Sequence, residues 1–283
     1  MHFKRSLYSI LLTALLSLPT ICAAVTEIPF SYEAGLIWVK VSTAGQPKPL
    51  NFLLDTGAGA TILNLETARR LQLSFGDTET VQGVGGRCAA KWVDGFRASF
   101  ADVSLRKYLL AVDLSALSRM NRRPIDGLIG ADFFRHRIVQ IDYAACKIRL
   151  LDKSVRLSPA SQTLPLEKLN GTYSIPVTIA GAQSQWMRLD SGCDDALLWT
   201  VSQKRASECL GRVSVGLSSA SSAHPVKADV KLGAEYLSGV SVKIHDGAIF
   251  PGESGLVGNG ILSRFKVTMD ADRRTVALER QTH

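Results

Sequence analysis

The chain has 283 residues, 46% hydrophobic and 20% charged, enough to bury the cores of two ordinary domains without disulfide or metal staples. Its formal charge of +8 comes from basic residues spread along the whole length. They form no Lys/Arg block of the kind that grips nucleic acid, so the charge reads as solvated surface and nucleic acid is excluded as a partner.

Lys4 and Arg5 precede an apolar run from Leu7 to Leu18, followed by Pro19 and the small residues of Cys22-Ala23-Ala24. That run is too short to cross a bilayer as a mature helix, and the pattern of charge, apolar stretch and small-residue end fits a secretory signal over residues 1–24. The alternatives are a retained anchor or a lipid on Cys22, which the bulky Ile21 before it disfavours. Loss of Lys4 and Arg5 lowers the charge to about +6. No other stretch is apolar for long enough to span a membrane, so the mature chain is expected outside the cytoplasm, secreted or periplasmic.

After residue 24 the texture is strand and turn. Val39 to Val41, Asn51 to Leu54, Val93 to Phe100 and Ile138 to Ile141 are short, rich in β-branched or aromatic residues and separated by Gly, Pro, Asn or Asp. A first short helix is predicted over Leu65 to Leu73, where apolar residues alternate with charges. Asp152 to Leu169 holds two prolines and several hydroxyl residues without a period, and reads as a linker. Strands resume at Ser174 to Ile179, Val213 to Leu217, Val226 to Leu232 and Val240 to Ile244, with a second short helix over Val201 to Cys209. The chain therefore divides into a segment 25–151, a linker 152–169 and a segment 170–283.

The two segments repeat one another. An apolar strand runs into Asp55-Thr56-Gly57 in the first and into Asp190-Ser191-Gly192 in the second, and each predicted helix follows shortly after. Further on, Gly127 to Asp142 lies beside Gly255 to Asp270 without a gap, with Gly, apolar, Arg and Asp positions coinciding at most sites. One Asp-Thr-Gly is usually an ordinary turn; two, each tied to the same second segment, point to a paired-carboxylate site. Gly57 and Gly192 let the chain turn tightly and bring bare N–H groups to the aspartates, while Thr56 and Ser191 brace the loops. Facing carboxyls cannot both ionise cheaply, so one acts as base and its neighbour as acid. Asp132, Asp142 and Asp270, also in the repeated segments, read as turn caps or partners of Arg.

Four cysteines remain after the signal: Cys88, Cys146, Cys193 and Cys209. In an oxidising compartment three pairings are open, the simplest being lobe-internal, Cys193 with Cys209 and Cys88 with Cys146. Their spacing and the scattered histidines give no zinc site, and neither metal nor cofactor is expected. Asn170-Gly171-Thr172 has the form of a glycosylation acceptor.

With these motifs the chain resembles the pepsin-like and retropepsin-like aspartic proteases, over essentially all of the mature sequence. Asp55-Thr56-Gly57-Ala58 with Leu128-Ile129-Gly130, and Asp190-Ser191-Gly192 with Leu256-Val257-Gly258, carry the resemblance. It implies an all-β fold with a few short helices, in which two homologous β-barrel lobes enclose a cleft. It implies further that Asp55 and Asp190 hold the water that hydrolyses a peptide bond, and that Gly83, Gly85 and Gly86 belong to a flap over a peptide or protein substrate. One chain then supplies both carboxylates, so a monomer suffices. The fit is weaker in the second lobe. Cys193 follows Gly192 where the family carries a small or hydroxyl residue, Asp194 and Asp195 add charge, and the matching flap, Ser218 to Ala223, lacks glycine. Two rival readings stay open: a catalytically weak or inactive peptide-binding module, and a one-lobed enzyme with a degenerate C-terminal cover.

Overall fold

The computed structural model describes residues 26–83, 86–210 and 225–281. The signal segment 1–24, Gly85 of the flap, the strand expected over Val213 to Leu217 and the second flap at Ser218 to Ala223 lie outside the described residues. Strands dominate, and the helices are short: Leu65–Arg70, Ser115–Met120, Gln203–Leu210 and Asn259–Leu262, with one 3-10 turn at Ala131–Phe134.

Each half folds around the same crossing. In the first, Gly127–Ile129 slots between Leu50–Leu54, to which it runs parallel, and Ile62–Asn64, to which it runs antiparallel. In the second, Gly255–Val257 lies in the same way between Gln185–Leu189 and Leu197–Thr200. The slot is tight enough to require glycine: a methyl on Gly127 would sit 2.5 Å from the Ile62 carbonyl oxygen. The repeated second segments therefore exist because each must thread a strand beside the one that ends in its aspartate. Around these crossings the first lobe builds a ten-stranded sheet. The second builds seven strands that close on themselves, Thr172–Ile179 bonding to both Gln185–Leu189 and Val226–Leu232. The two-lobed all-β architecture expected from the sequence is the one observed.

A six-stranded sheet joins the lobes. At its centre Ile138–Asp142 pairs antiparallel with its own repeat partner Phe265–Asp270, with Gln140 opposite Thr268. Those two residues are also equivalents in the sequence repeat, so the approximate two-fold axis relating the lobes passes between them. Gln140 Nε2 donates to Thr268 Oγ1 across it at 3.0 Å. The main apolar core runs through both lobes, and a smaller cluster in the first lobe gathers Leu36, Trp38, Leu53, Leu114, Ile125 and Leu128.

Element boundaries differ from the sequence reading where the backbone turns left-handed. The first helix stops at Arg70, short of Gln72 at φ 55°, and the strand expected over Val93 to Phe100 breaks around Gly95 at φ 88°. The stretch 152–169 is not all connector: Gln162–Pro165 adds to the six-stranded sheet beside Thr275–Arg280, and Glu167–Leu169 pairs with Thr172–Ile179. Asp132 accepts from Thr61 N–H and Oγ1, Asp142 pairs with Arg149 and Asp270 with Arg273.

The expected disulfides are corrected: Cys88, Cys146, Cys193 and Cys209 are all free thiols. Cys88 lies exposed on the hairpin strand Gly86–Asp94, whereas Cys146 sits in the turn after Ile138–Asp142 in a different sheet, its Sγ directed at the Tyr143 carbonyl. Cys193 lies beside Gly258, and Cys209 packs as an apolar group against the core. Alkylation of the unfolded, unreduced protein should therefore modify all four of these cysteines. Mass spectrometry finding any pair protected would contradict the arrangement.

Candidate active site

The two strands Leu50–Leu54 and Gln185–Leu189 end where the lobes meet, and the residues that follow them interlock. Thr56 Oγ1 donates to the Leu189 carbonyl at 2.8 Å and accepts the Ser191 N–H at 3.0 Å. Ser191 Oγ donates to the Leu54 carbonyl at 2.8 Å and accepts the Thr56 N–H at 3.0 Å. Each hydroxyl thus braces the loop of the opposite lobe rather than its own. The threaded segments fix the aspartate backbones from behind, the Asp55 N–H donating to Ile129 O and the Asp190 N–H to Val257 O, both at 2.9 Å.

This lock turns the side chains of Asp55 and Asp190 towards one another within hydrogen-bond reach. Asp55 Oδ1 accepts the N–H groups of Gly57 and Ala58 at 3.0 Å each; among the described residues Asp190 Oδ1 accepts one backbone N–H, that of Gly192, at 2.9 Å. Each carboxyl lies over the glycine of the other loop. A methyl on Gly57 would fall 2.5 Å from Asp190 Oδ1, and one on Gly192 2.5 Å from Asp55 Cγ. Glycine is needed here for close approach and not for the turn, since neither Gly57 nor Gly192 has a left-handed backbone.

Burial raises the proton affinity of both carboxyls, and the charge of Asp55 raises that of Asp190 well above the usual carboxylate range. The pair is therefore set to hold one proton between them. Arg188, two residues before Asp190, opposes the rise in both. It is buried in a two-pronged ion pair with Glu253, and its Nη1 crosses the lobe boundary to the Gly57 carbonyl at 2.9 Å.

Of the remaining residues singled out from the sequence, Gly83 and Gly86 face each other at the end of the hairpin Ser74–Gly83 and Gly86–Asp94. Asp194 and Asp195 do not join the dyad: Asp195 pairs with Lys243 at 2.7 Å, and Asp194 is exposed beneath Gly35. The Cys193 thiol is pushed up to about 12 by burial and by the neighbouring Asp190 charge, so it stays protonated at neutral pH. Asn170 uses its amide nitrogen on the Pro251 carbonyl and Glu253, the atom a glycan would need. Sequence reasoning missed Arg188, Glu253 and also Asn259, a fully buried side chain that donates to the carbonyls of Gly35 and Ser191 and accepts from the Tyr143 hydroxyl. The signal for Arg188 was present: a charged residue in an apolar strand at the position where the first lobe has Leu53.

The fold is that of the pepsin-like aspartic proteinases. Two solved structures share it: basic 7S globulin from soybean, with a TM-score of 0.60 at 11% identity over 92% of this chain and 96% of that one, and the aspartic proteinase from Irpex lacteus, with a TM-score of 0.58 at 12% identity over 92% and 98%. At sequence level, residues 39–133 match the aspartyl protease family. A stretch of 93 residues, 33% of this chain, is 29% identical to the retrovirus-related Pol polyprotein from transposon 412 of Drosophila melanogaster, of which the match spans 7%. The resemblance to aspartyl proteases read from the motifs is thus shown independently by family match and by fold.

The geometry has consequences for stability. Gly57→Ala and Gly192→Ala each force a methyl against the opposing carboxyl and should destabilise the fold by about 1–3 kcal/mol, measured by urea unfolding. The raised carboxyls also make stability fall with pH. The folded state holds the shared proton more tightly than the unfolded chain, so this contribution is full below the unfolded carboxyl value of about 4 and is lost as pH rises through the raised value of the pair. Asp190→Asn removes that titration, so its stability relative to wild type should improve steadily from pH 4 upward. A pH-independent difference would contradict the shared proton.

Proposed function

We propose that this protein is a secreted or periplasmic aspartic endopeptidase, acting as a monomer on extended segments of peptide or protein. The observation that carries the reading is the pair of facing carboxyls, each seated over the glycine of the opposing loop and each raised in proton affinity, chiefly by burial. Family and fold support a protease function in general. The extracytoplasmic location rests on residues 1–24 of the sequence, and among the described residues no helix is long and apolar enough to cross a membrane.

In this mechanism a water lies between Asp55 and Asp190. The Asp55 carboxylate takes a proton from the water as its oxygen bonds to the peptide carbonyl carbon, and Asp190 gives its proton to the carbonyl oxygen. A neutral tetrahedral diol results, with no covalent enzyme intermediate. On collapse the proton on Asp55 passes to the leaving nitrogen, the C–N bond breaks, and Asp190 recovers a proton from a diol hydroxyl. One water is consumed, and the dyad returns to a single proton, as is established for facing carboxyls in aspartic proteases. The hairpin Ser74–Gly83 and Gly86–Asp94 would lay strand-like hydrogen bonds along the substrate. The crossed Thr56 and Ser191 bonds favour a two-lobed catalyst over a one-lobed enzyme with a passive cover, because neither loop is braced without the other.

Signal-free protein incubated with a diverse peptide mixture from acid to neutral pH tests the proposal. New peptide ends should appear by mass spectrometry with a rate bell-shaped in pH, and should vanish in both Asp55→Asn and Asp190→Asn. Intact peptides at every pH from folded protein would favour the peptide-binding module instead.

A further inference from the structure

The second lobe carries a pair of charges beneath its loop that the first lobe lacks. Counting back from each aspartate, Leu53 corresponds to Arg188; counting back along the second repeated segment, Ile125 corresponds to Glu253. Strand registers agree, Leu53 pairing with Leu128 and Arg188 with the matching Leu256. Leu53 and Ile125 are apolar members of the small core cluster in the first lobe. Arg188 and Glu253 instead form an ion pair with contacts of 2.6 and 2.7 Å and side chains 4% and 1% exposed. A buried ion pair is seldom more stabilising than apolar residues of similar volume, so stability gives little reason for the difference.

The arginine's remaining nitrogen supplies a reason. Arg188 Nη1 donates to the Gly57 carbonyl at 2.9 Å. That carbonyl belongs to the same peptide unit as the Ala58 N–H, which donates to Asp55 Oδ1 at 3.0 Å. A cation at the oxygen end of an amide polarises it and strengthens donation from its N–H end. The positive charge is relayed in this way to Asp55. Among the described residues no matching relay reaches Asp190: Leu53 stands in the equivalent place, and although the Ala58 and Cys193 N–H groups each donate to the carbonyl of their own aspartate at 3.2 Å, Ala58 alone of the two also donates to its aspartate's Oδ1.

We propose that Arg188, held by Glu253, is a positioning residue that breaks the symmetry of the pair, fixing Asp55 as the carboxylate and leaving the shared proton on Asp190. This deepens the endopeptidase reading and rests on it, since it makes Asp55 the base and Asp190 the acid of the hydrolysis. The charged and titratable groups that meet here are Glu253 from the segment before Gly255–Val257, the two aspartates from their loops, and the protonated Cys193 thiol beside Asp190. Asn170 bonds to Glu253 at 2.8 Å and the Phe250 ring covers the guanidinium at 3.5 Å; among the described residues Glu253 is the carboxylate in direct ion-pair contact with Arg188.

Two variants of opposite electrostatic sign test this. Arg188→Leu combined with Glu253→Ile copies the first lobe and removes the cation together with its partner; Glu253→Gln keeps the cation and removes its counter-charge. Carbon-13 NMR of the Asp55 and Asp190 carboxyls, followed against pH in the folded full chain, reads the proton directly and needs no turnover. In wild type Asp55 should ionise first. Its titration, with the acid limb of peptide hydrolysis, should move up by about one pH unit in the double variant and down in Glu253→Gln. Because the shifts have opposite signs, either variant that folds decides the question. Unchanged titration, or a shift in the same direction in both variants, would overturn the proposal. If the carboxyls titrate as stated but no peptide is cut, the proton assignment stands and the endopeptidase reading fails.

Discussion

Four hydrogen bonds between two small side chains and the facing backbones hold this molecule in its functional form. Thr56 and Ser191 each insert a hydroxyl into the loop of the other lobe, so that every donor and acceptor at the crossing finds its partner across the lobe boundary. The site is buried, and losing one hydroxyl strands an N–H and a carbonyl at about 1–3 kcal/mol each. Repeat equivalents touch one another only near an axis of symmetry. Thr56 with Ser191 and Gln140 with Thr268 therefore mark the same approximate two-fold. Between these two points the six-stranded sheet and the paired loops fix where the aspartates meet.

That symmetry brings the carboxyls together but does not divide their labour. Two identical surroundings would share the proton evenly. The asymmetry lies one step behind the loops, where an apolar pair in one lobe is replaced by Arg188 and Glu253 in the other, and where Asp55 accepts two N–H groups against one for Asp190. The additional acids that follow Cys193 stay out of the balance, Asp195 paired with Lys243 and Asp194 exposed beside Gly35.

Much of this was legible in the sequence, because the repeat is both a pattern of residues and a pattern of contacts. Asp55 and Asp190 are brought together, and the distant Leu128-Ile129-Gly130 and Leu256-Val257-Gly258 motifs prove to be the strands threaded behind them. What stayed hidden was whatever depends on where a side chain goes after the chain folds. The hydroxyls of Thr56 and Ser191 were readable as loop supports, but their reach into the other lobe is a tertiary fact. Arg188 was visible as a charge in an apolar strand, yet its partner Glu253 is 65 residues away and no local spacing links them. The cysteines misled because an even count says nothing about distance: Cys88 and Cys146 end in different sheets. The strand at Gln162–Pro165 was missed because its polar, proline-flanked sequence owes its pairing to Thr275–Arg280 rather than to its own propensity.

The two loops form one unit, and a double-mutant cycle on Thr56→Ala and Ser191→Ala, read by urea unfolding and by peptide hydrolysis, is the sharpest test of their coupling. The interlocked arrangement predicts strong non-additivity, with either single change losing most of the rate, the second adding little, and a coupling of about 1–2 kcal/mol in unfolding free energy. Effects that simply add in both measurements would mean that each loop is braced within its own lobe, and would contradict the account.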